Sequence, residues 1–259
     1  MRRKQIVDIV NNNSQVSVIQ LAQEFSVSVE TIRRDLKFLD KQGLIVRIHG
    51  GATSKTCRDI GKSFDYRAKN NIHEKQMLVE YALEYIEAGM IIGLDASSSS
   101  WLLAQAIPNI QCTIVTNCTY VISALSHKNN INIVGVGGSY SEKYKSFYGI
   151  IARNTLEKIA LDVCFISCVG VDFDTGIWDS NEYNYDIKQS LIRSSKKTIL
   201  IADKSKLHKR SLLKICDINT LACLITNAEL NQQEKEHLQS SGVGFSGNTL
   251  PQPVSEGVE

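Results

Sequence analysis

Four serines stand in a row at residues 97–100, directly after Asp95-Ala96. The apolar run 90–94 precedes them, and a helical pattern opening at Trp101 follows. A strand, a turn of hydroxyl residues and a helix start bring unpaired backbone N–H groups, side-chain hydroxyls and the positive helix end to one point. That combination makes an anion site, and phosphate is the anion expected there. Serines ahead of a helix also act simply as caps, so the turn gains weight only from what else collects around it. Lys188 and Lys206 are candidate charge partners, and Gly137 and Gly138 would let backbone approach a ligand closely. Asp95, Asp172 and Asp203 are candidate acceptors for sugar hydroxyls.

These residues share a position, because most of them follow a short apolar run. The runs 90–94, 113–115, 131–135, 163–169, 198–202 and 221–225 alternate with amphipathic segments such as 78–88, 101–107 and 185–194. Buried strands alternating with helices predict an α/β domain with a mostly parallel sheet. Ligands in such sheets lie beyond the carboxyl ends of the strands. There the sequence places Asp95, Ser97, Ser98 and Ser99, then Thr116-Asn117, Gly137-Gly138, Asp172, and the stretch from Asp203 to Lys206.

A second chemistry is written at the start of the chain. Residues 1–55 hold nine Lys/Arg and five acids, a local charge of +4, while the remainder carries −2. Ile6, Val7, Ile9 and Val10 mark one helix. Ser17 with Gln20 forms a capping box for a second helix whose buried face is Leu21, Ala22 and Phe25. After a short turn, Ser28 caps a third, in which Val29, Ile32, Leu36 and Leu39 face inward. A step of about 100° per residue then turns Glu30, Arg34, Lys37 and Lys41 outward, with Thr31 and Arg33 on the flanks. Two helices joined tightly, the second basic on its outer face, form a helix-turn-helix suited to the major groove. Alternation through residues 45–48 predicts a hairpin or wing that sets Arg47 and His49 against phosphates. The expected DNA contacts are Ser28, Thr31, Arg33, Arg34, Lys37, Arg47 and His49.

The 259 residues leave room for one to two domains of about 150 residues. A hydrophobic share of 43% with 22% charged is ordinary for a globular chain and excludes extensive disorder. No run of about 18 apolar residues is present, which argues against a membrane-spanning helix. The start is basic but passes straight into Asn11-Asn12-Asn13, without the apolar stretch of a signal peptide, and a cytoplasmic protein is expected. The seven cysteines include no Cys-x-x-Cys and read as small core residues in a reducing compartment. No cofactor and no metal is expected.

Residues 28–36, with Thr31-Ile32-Arg33-Arg34-Asp35-Leu36, and then Leu39, Gly43-Leu44 and Arg47-Ile48-His49-Gly50-Gly51-Ala52, resemble the winged helix-turn-helix signature of the DeoR family of bacterial transcriptional regulators. Phe64-Asp65-Tyr66-Arg67 and residues 71–75 resemble the segment leading into that family's effector domain, with Phe64 and Tyr66 as packing anchors. The resemblance extends to about Asn227 through Asp95, Ser98, Ser99, Thr116-Asn117, Gly137-Gly138, Gly170-Val171-Asp172, Lys188 and residues 203–206. It implies an effector domain with the fold of ribose-5-phosphate isomerase and CoA transferases that senses a phosphorylated sugar or related intermediate. Ser97, where many members have Gly, and Leu207-His208, where Phe-Gly is usual, depart from the pattern.

The expected organisation is a winged helix-turn-helix in residues 1–55, a connector in 56–74, the effector domain in 75–247 and a disordered tail in 248–259. The expected function is a repressor of a carbohydrate-metabolism operon. It would act as a homodimer or homotetramer on an operator in double-stranded DNA, with its affinity set by the phosphorylated sugar. The alternative is a sugar-phosphate isomerase-like enzyme with an accessory DNA-binding module, using Asp95, Asp172, Lys188 and Lys206 for acid–base chemistry. Fold kinship alone does not imply that activity.

Overall fold

Capping chemistry sets the starts of the second and third helices of the chain. The structure is a computed structural model that describes residues 2–13, 15–48, 50–54 and 59–247. Helix α1 (Arg2–Asn13) is followed by strand β1 (Gln15–Ser17), α2 (Val18–Glu24) and α3 (Val29–Lys41). Ser17 Oγ accepts from the Gln20 N–H at 3.1 Å, and Gln20 Oε1 accepts from the Ser17 N–H at 3.0 Å, closing the expected box. Between α2 and α3 the chain reverses through Ser26 at φ 50°, and the Val27 N–H reaches the Ala22 carbonyl at 3.0 Å. Ile6, Val10, Leu21, Ile32, Leu36, Leu39 and Ile45 fill the core of this unit.

The wing is β2 (Ile45–Ile48) and β3 (Gly51–Ser54), but it is not a simple hairpin. β3 also pairs with β1, so the antiparallel order is β1-β3-β2. Strand β1 escapes sequence reading because three residues hold no period. Two glycines permit the arrangement for different reasons. Gly50 takes φ 81°, a left-handed backbone. A Cβ on Gly51 would lie 2.1 Å from the Val16 carbonyl oxygen, so β1 and β3 approach only without one. His49, one of the expected DNA contacts, lies outside the described residues, as do Cys57 and residues 248–259.

The second unit, Lys62–Glu259, opens with α4 (Phe64–Lys69) and α5 (Ile72–Leu83). Residues 64–74 were expected in a connector; instead Ser63 caps α4, and Phe64 is fully buried against Tyr120 and Trp101, with ring centroids at 4.5 and 6.2 Å. Tyr66, the other expected anchor, is 52% exposed. There follow β4 (Ile91–Leu94), α6 (Ser98–Ala106), β5 (Cys112–Thr116), α7 (Thr119–Leu125), β6 (Ile131–Gly135), the hairpin β7 (Ser139–Ser141) and β8 (Ser146–Tyr148), and α8 (Ile150–Leu156). The chain continues with β9 (Leu161–Ile166), β10 (Gly170–Asp172), β11 (Gly176–Asp179), α9 (Glu182–Ser194), β12 (Ser195–Ile201), β13 (Leu213–Cys216), β14 (Cys223–Ile225), α10 (Gln232–Ser240) and β15 (Gly244–Ser246).

Seven strands form one parallel sheet in the order β15-β14-β12-β9-β4-β5-β6, as the alternation predicted. A small antiparallel sheet, β10-β11-β13, stands apart from it. Two helices start earlier than their apolar periodicity shows. Ser97 caps α6, so Ser98 rather than Trp101 opens it, and Asn181 caps α9 ahead of Tyr185. Lys128 Nζ closes the other end of α6, donating to the carbonyls of Ala104, Gln105 and Ile107. Cys112, Cys118, Cys164, Cys168 and Cys223 are buried as core thiols, and burial pushes Cys118 and Cys164 up to about 11.

Candidate functional site

From β4 the chain builds outward through β5 to β6 on one side, and through β9, β12, β14 and β15 on the other. The sheet's topological switch point is therefore between β4 and β9, and beyond its carboxyl ends is where the ligand crevice of an open α/β sheet lies. Leu94 stands opposite Thr116 of β5 and Phe165 of β9. Asp95, Asn117 and Ser167 consequently emerge close together.

Asp95 is 1% exposed and is fully committed. Its Oδ1 accepts from Ser100 Oγ at 2.6 Å. Its Oδ2 accepts from the Ser167 N–H at 2.9 Å and lies 3.4 Å from Lys188 Nζ. Lys188, also buried, donates to Asp179 Oδ2, and Asp179 Oδ1 takes the Ser180 N–H. Burial alone would lower the Lys188 value, but Asp179 and Asp95 outweigh it and hold the ammonium charged, above its ordinary range. The Asp95–Lys188–Asp179 triad thus locks the ends of β4 and β11 to α9. Asp95 and Lys188 are already engaged with each other and with Asp179, Ser100 and Ser167.

What remains open is the helix start. Ser97 Oγ accepts from the Ser100 N–H, and the two hydroxyls bond each other at 3.0 Å. Ser98 and Ser99 form the first turn of α6, where backbone N–H groups have no intrahelical acceptor. Both are buried, at 4% and 6% exposure.

The positive charge beside this turn comes from an unexpected place. Arg67 on α4 donates from Nη2 to the Ala96 carbonyl at 3.2 Å, inside the serine loop, while its Nε is buried without a partner. Lys75 on α5 is 6% exposed, and its Nζ donates to the Arg67 and Asn70 carbonyls at 2.7 and 2.6 Å. Burial, with Lys206 and Arg67 nearby, pulls the Lys75 value down to about 8 despite Asp203 and Glu74. Asp203 caps the short turn Lys204–Lys206 through the Ser205 N–H and also accepts from Asn71 Nδ2 at 3.1 Å. Asn71 itself sits at φ 53° between α4 and α5. Three cations thus gather at the crevice: Arg67, Lys75 and Lys206. None of them makes an ion pair among the described residues.

In the first unit the candidate interface is α3. Ser28 Oγ accepts from the Thr31 N–H at 3.3 Å and meets the Thr31 hydroxyl at 2.9 Å, so both residues fasten the helix start. Arg33, Arg34, Lys37 and Lys41 are exposed. Arg33 pairs with Glu30, whereas Arg34, Lys37 and Lys41 make no ion pair among the described residues. Arg47 is exposed on β2, and its backbone N–H is tied to Asp40 Oδ1 at 3.1 Å, which fixes the wing to α3. On the inner side Asp35 is buried and receives Arg2 and Arg3, each at 2.7 Å. Burial would raise the Asp35 carboxyl, but the two guanidinium groups win and hold it below the ordinary carboxylate range. Arg3 also covers the Phe38 ring at 4.0 Å. Part of the basic excess therefore fastens α1 to α3 instead of facing outward.

A family model described as the DeoR-like helix-turn-helix domain matches residues 2–58, and one described as the DeoR C terminal sensor domain matches residues 70–228. The chain belongs to the DeoR family of transcriptional regulators. It is similar to the L-fucose operon activator of Haemophilus influenzae, at 37% identity over 93% of this chain and 97% of that protein. It is also similar to the HTH-type transcriptional repressor GlcR of Bacillus subtilis, at 30% identity over 92% of each chain. These relatives are named as regulators and not as enzymes. Among solved structures it is similar to ribose 5-phosphate isomerase A from Methanocaldococcus jannaschii, at 15% identity over 53% of this chain and 55% of that one, with a TM-score of 0.41.

Within the sensor domain of this DeoR regulator, Ser97, Ser98, Ser99, Asn117, Asp203 and Lys206 come together at the switch point. Asp95, Thr116 and Lys188 support that group from beneath, Thr116 through its hydroxyl on the Leu94 carbonyl at 2.7 Å. Asp172 does not join them. It lies in the small sheet with Arg210 and Thr175 on its oxygens, and the Arg210 and Thr175 hydrogen bonds hold its carboxyl down at about 2. The space a Cβ would need at Gly138 is taken by the Tyr148 carbonyl, 2.6 Å away, rather than by a ligand, while Gly137 faces open space. Arg67 and Lys75 were missed because they lie in a stretch that reads as a polar connector. The only sequence signal for them was the family-like segment 64–75.

Proposed function

We propose that this DeoR regulator binds an operator through α3 and the wing, and that a phosphorylated sugar held at the β4–β9 switch point sets its DNA affinity. The observation that carries the reading is the gathering of Arg67, Lys75 and Lys206 around the first turn of α6, whose backbone N–H groups have no intrahelical acceptor, without an equal number of carboxylates. A buried lysine left partly discharged beside two other cations is stabilised by an anion, and a helix start is where a phosphate is held. The effector contacts are Ser97, Ser98, Ser99, Asn117, Asp203 and Lys206, with Arg67 and Lys75 added. The DNA contacts are Thr31, Arg33, Arg34, Lys37 and Arg47 at bases and phosphates, with Ser28 fixing the helix start. Of the four residues the enzyme alternative would use, Asp95, Lys188 and Asp172 are engaged internally, and only Lys206 makes no ion pair among the described residues.

Regulated genes of carbohydrate use fit the names of the relatives, and repression is the mode we favour. The name of the Haemophilus influenzae relative favours activation as the second reading. Either mode works by linkage, in which the effector prefers one of two states that differ in DNA affinity. A homodimer or homotetramer would present paired α3 helices to repeated half-sites.

The test uses the full chain and a DNA fragment selected from a random pool. Arg34→Ala should weaken binding by about 1–3 kcal/mol. A sugar phosphate that raises the protein's melting temperature should shift DNA affinity by roughly 5–150-fold. A stabilising sugar phosphate that leaves DNA affinity untouched would sink the proposal.

A further inference from the structure

Two buried amides at the switch point each have one arm fixed by backbone and one arm without a partner. Asn117, 3% exposed, donates from Nδ2 to the Phe147 carbonyl at 2.7 Å, and its Oδ1 has no partner. Asn181, fully buried, accepts the Asn184 N–H on Oδ1 at 2.8 Å as the cap of α9, and its Nδ2 has no partner. The backbone partners settle which way round each amide lies, since a carbonyl must receive the N–H2 and a backbone N–H must meet the oxygen. One open acceptor and one open donor are left.

The fold brings the two amides to the same place by separate routes. Asn117 follows Thr116, which stands opposite Leu94, so it lies beside Asp95. Asn181 follows Asp179, which Lys188 clamps to Asp95 from the other side. Independently, the Phe147 carbonyl that holds Asn117 precedes Tyr148, whose ring packs on Tyr183 at 4.1 Å between centroids, two residues from Asn181. A buried polar atom without a partner is costly and needs a reason.

We propose that Asn117 Oδ1 and Asn181 Nδ2 are the acceptor and donor that read hydroxyl groups of the effector. The inference rests on the phosphate reading of the same crevice. A hydroxyl is both donor and acceptor, so adjacent hydroxyls on a carbon chain satisfy both open arms. The ligand is accordingly a phosphorylated polyol or sugar, selected against phosphorylated compounds whose chain carries no hydroxyl. Asn181 is a specificity-determining residue, and its amide is what distinguishes it from a plain helix cap.

The decisive variant is Asn181→Ser, because serine caps a helix about as well as asparagine but has no second arm. Calorimetry on the full chain compares propyl phosphate with glycerol 3-phosphate, ribose 5-phosphate and fructose 6-phosphate. The wild type should bind at least one hydroxylated phosphate about tenfold or more tightly than propyl phosphate. In Asn181→Ser that preference should fall roughly tenfold, as for one lost hydrogen bond with a desolvated partner, while propyl phosphate binds as before. Equal binding of hydroxylated and propyl phosphates by the wild type would overturn the assignment, as would an unchanged preference in the variant. Either result leaves the phosphate reading standing. If no phosphate binds the wild type, both readings fall.

Discussion

Titrating Lys75 tests the sensor most directly. Its ammonium is 6% exposed, and burial together with Lys206 and Arg67 pulls its value from 10.5 to about 8. At about 1.4 kcal/mol per unit, keeping the effector-free side chain charged at neutral pH costs about 3 kcal/mol. Between pH 8 and 10.5 the folded chain binds fewer protons at this site than the unfolded chain does, so the group's contribution to stability rises with pH. Below pH 8 both states are protonated and the contribution is flat. An anion beside Lys75 raises its value again, so phosphate binding takes up a proton. Phosphate affinity should therefore fall above pH 8, by at most about tenfold per pH unit. The assay is urea unfolding of the full chain from pH 7 to 10.5 at low salt, read as wild type minus Lys75→Met. That difference cancels the thiols and phenols whose raised values act in the opposite direction. Without phosphate the wild type should gain about 3 kcal/mol on the variant across this window, and saturating phosphate should erase most of the gain. Wild-type and variant curves that run parallel, or a gain that phosphate does not touch, would refute the charge-cluster reasoning.

Two further outcomes concern the DNA-reading unit. Asp35→Asn leaves Arg2 and Arg3 without their shared carboxylate and should cost roughly 3 kcal/mol, seen as earlier unfolding of this unit by circular dichroism. Because the Asp35 value is depressed, its stabilisation is present above the ordinary carboxylate range. It disappears as pH falls through the folded value. At the wing, Gly51→Ala drives a Cβ into the Val16 carbonyl and should abolish DNA binding, whereas Gly50→Ala meets only backbone strain of about 1–2 kcal/mol. Equal losses in a binding titration would contradict the distinction.

Local chemistry in the sequence was enough to read the helix-turn-helix. Ser17 with Gln20, Ser28, and the inward stripe of Ile32, Leu36 and Leu39 each act within one turn of a helix. The parallel sheet was legible for a similar reason, since its strands are local runs of three to seven residues. Pairings across the chain were not legible. Arg2 and Arg3 enter the +4 of the first 55 residues as plain basic charge, and nothing beside them in the sequence shows that Asp35, more than thirty residues away, holds them. Nothing in the helix of Lys188 shows that Asp95 and Asp179 converge on it. Asn181 drew no notice in the sequence, because the apolar periodicity of its helix begins only at Tyr185 and sequence alone cannot show which arm of an amide is occupied.

The source of the unbalanced charge bears on how a sensor of this kind would act. Asp95, Lys188 and Asp179 hold one another and give the crevice a rigid floor. Arg67 and Lys75 instead sit on α4 and α5, whose junction is tied to the strand-end turn by Asn71 on Asp203 and Ser205. Those helices are the first elements after residue 61, where the two compact units divide. An anion drawn to Arg67, Lys75 and Lys206 relieves repulsion between the α4–α5 segment and the turn Lys204–Lys206, and so tightens that tie. Under the proposed function, binding energy is then released in the part of the sensor covalently nearest the DNA-reading unit, not in its buried floor. A ligand held only by the floor would stabilise both states of the regulator alike, and such a ligand shifts no equilibrium however tightly it binds. Under the proposed function it is the cations on α4 and α5 that would supply the differential affinity a regulator requires.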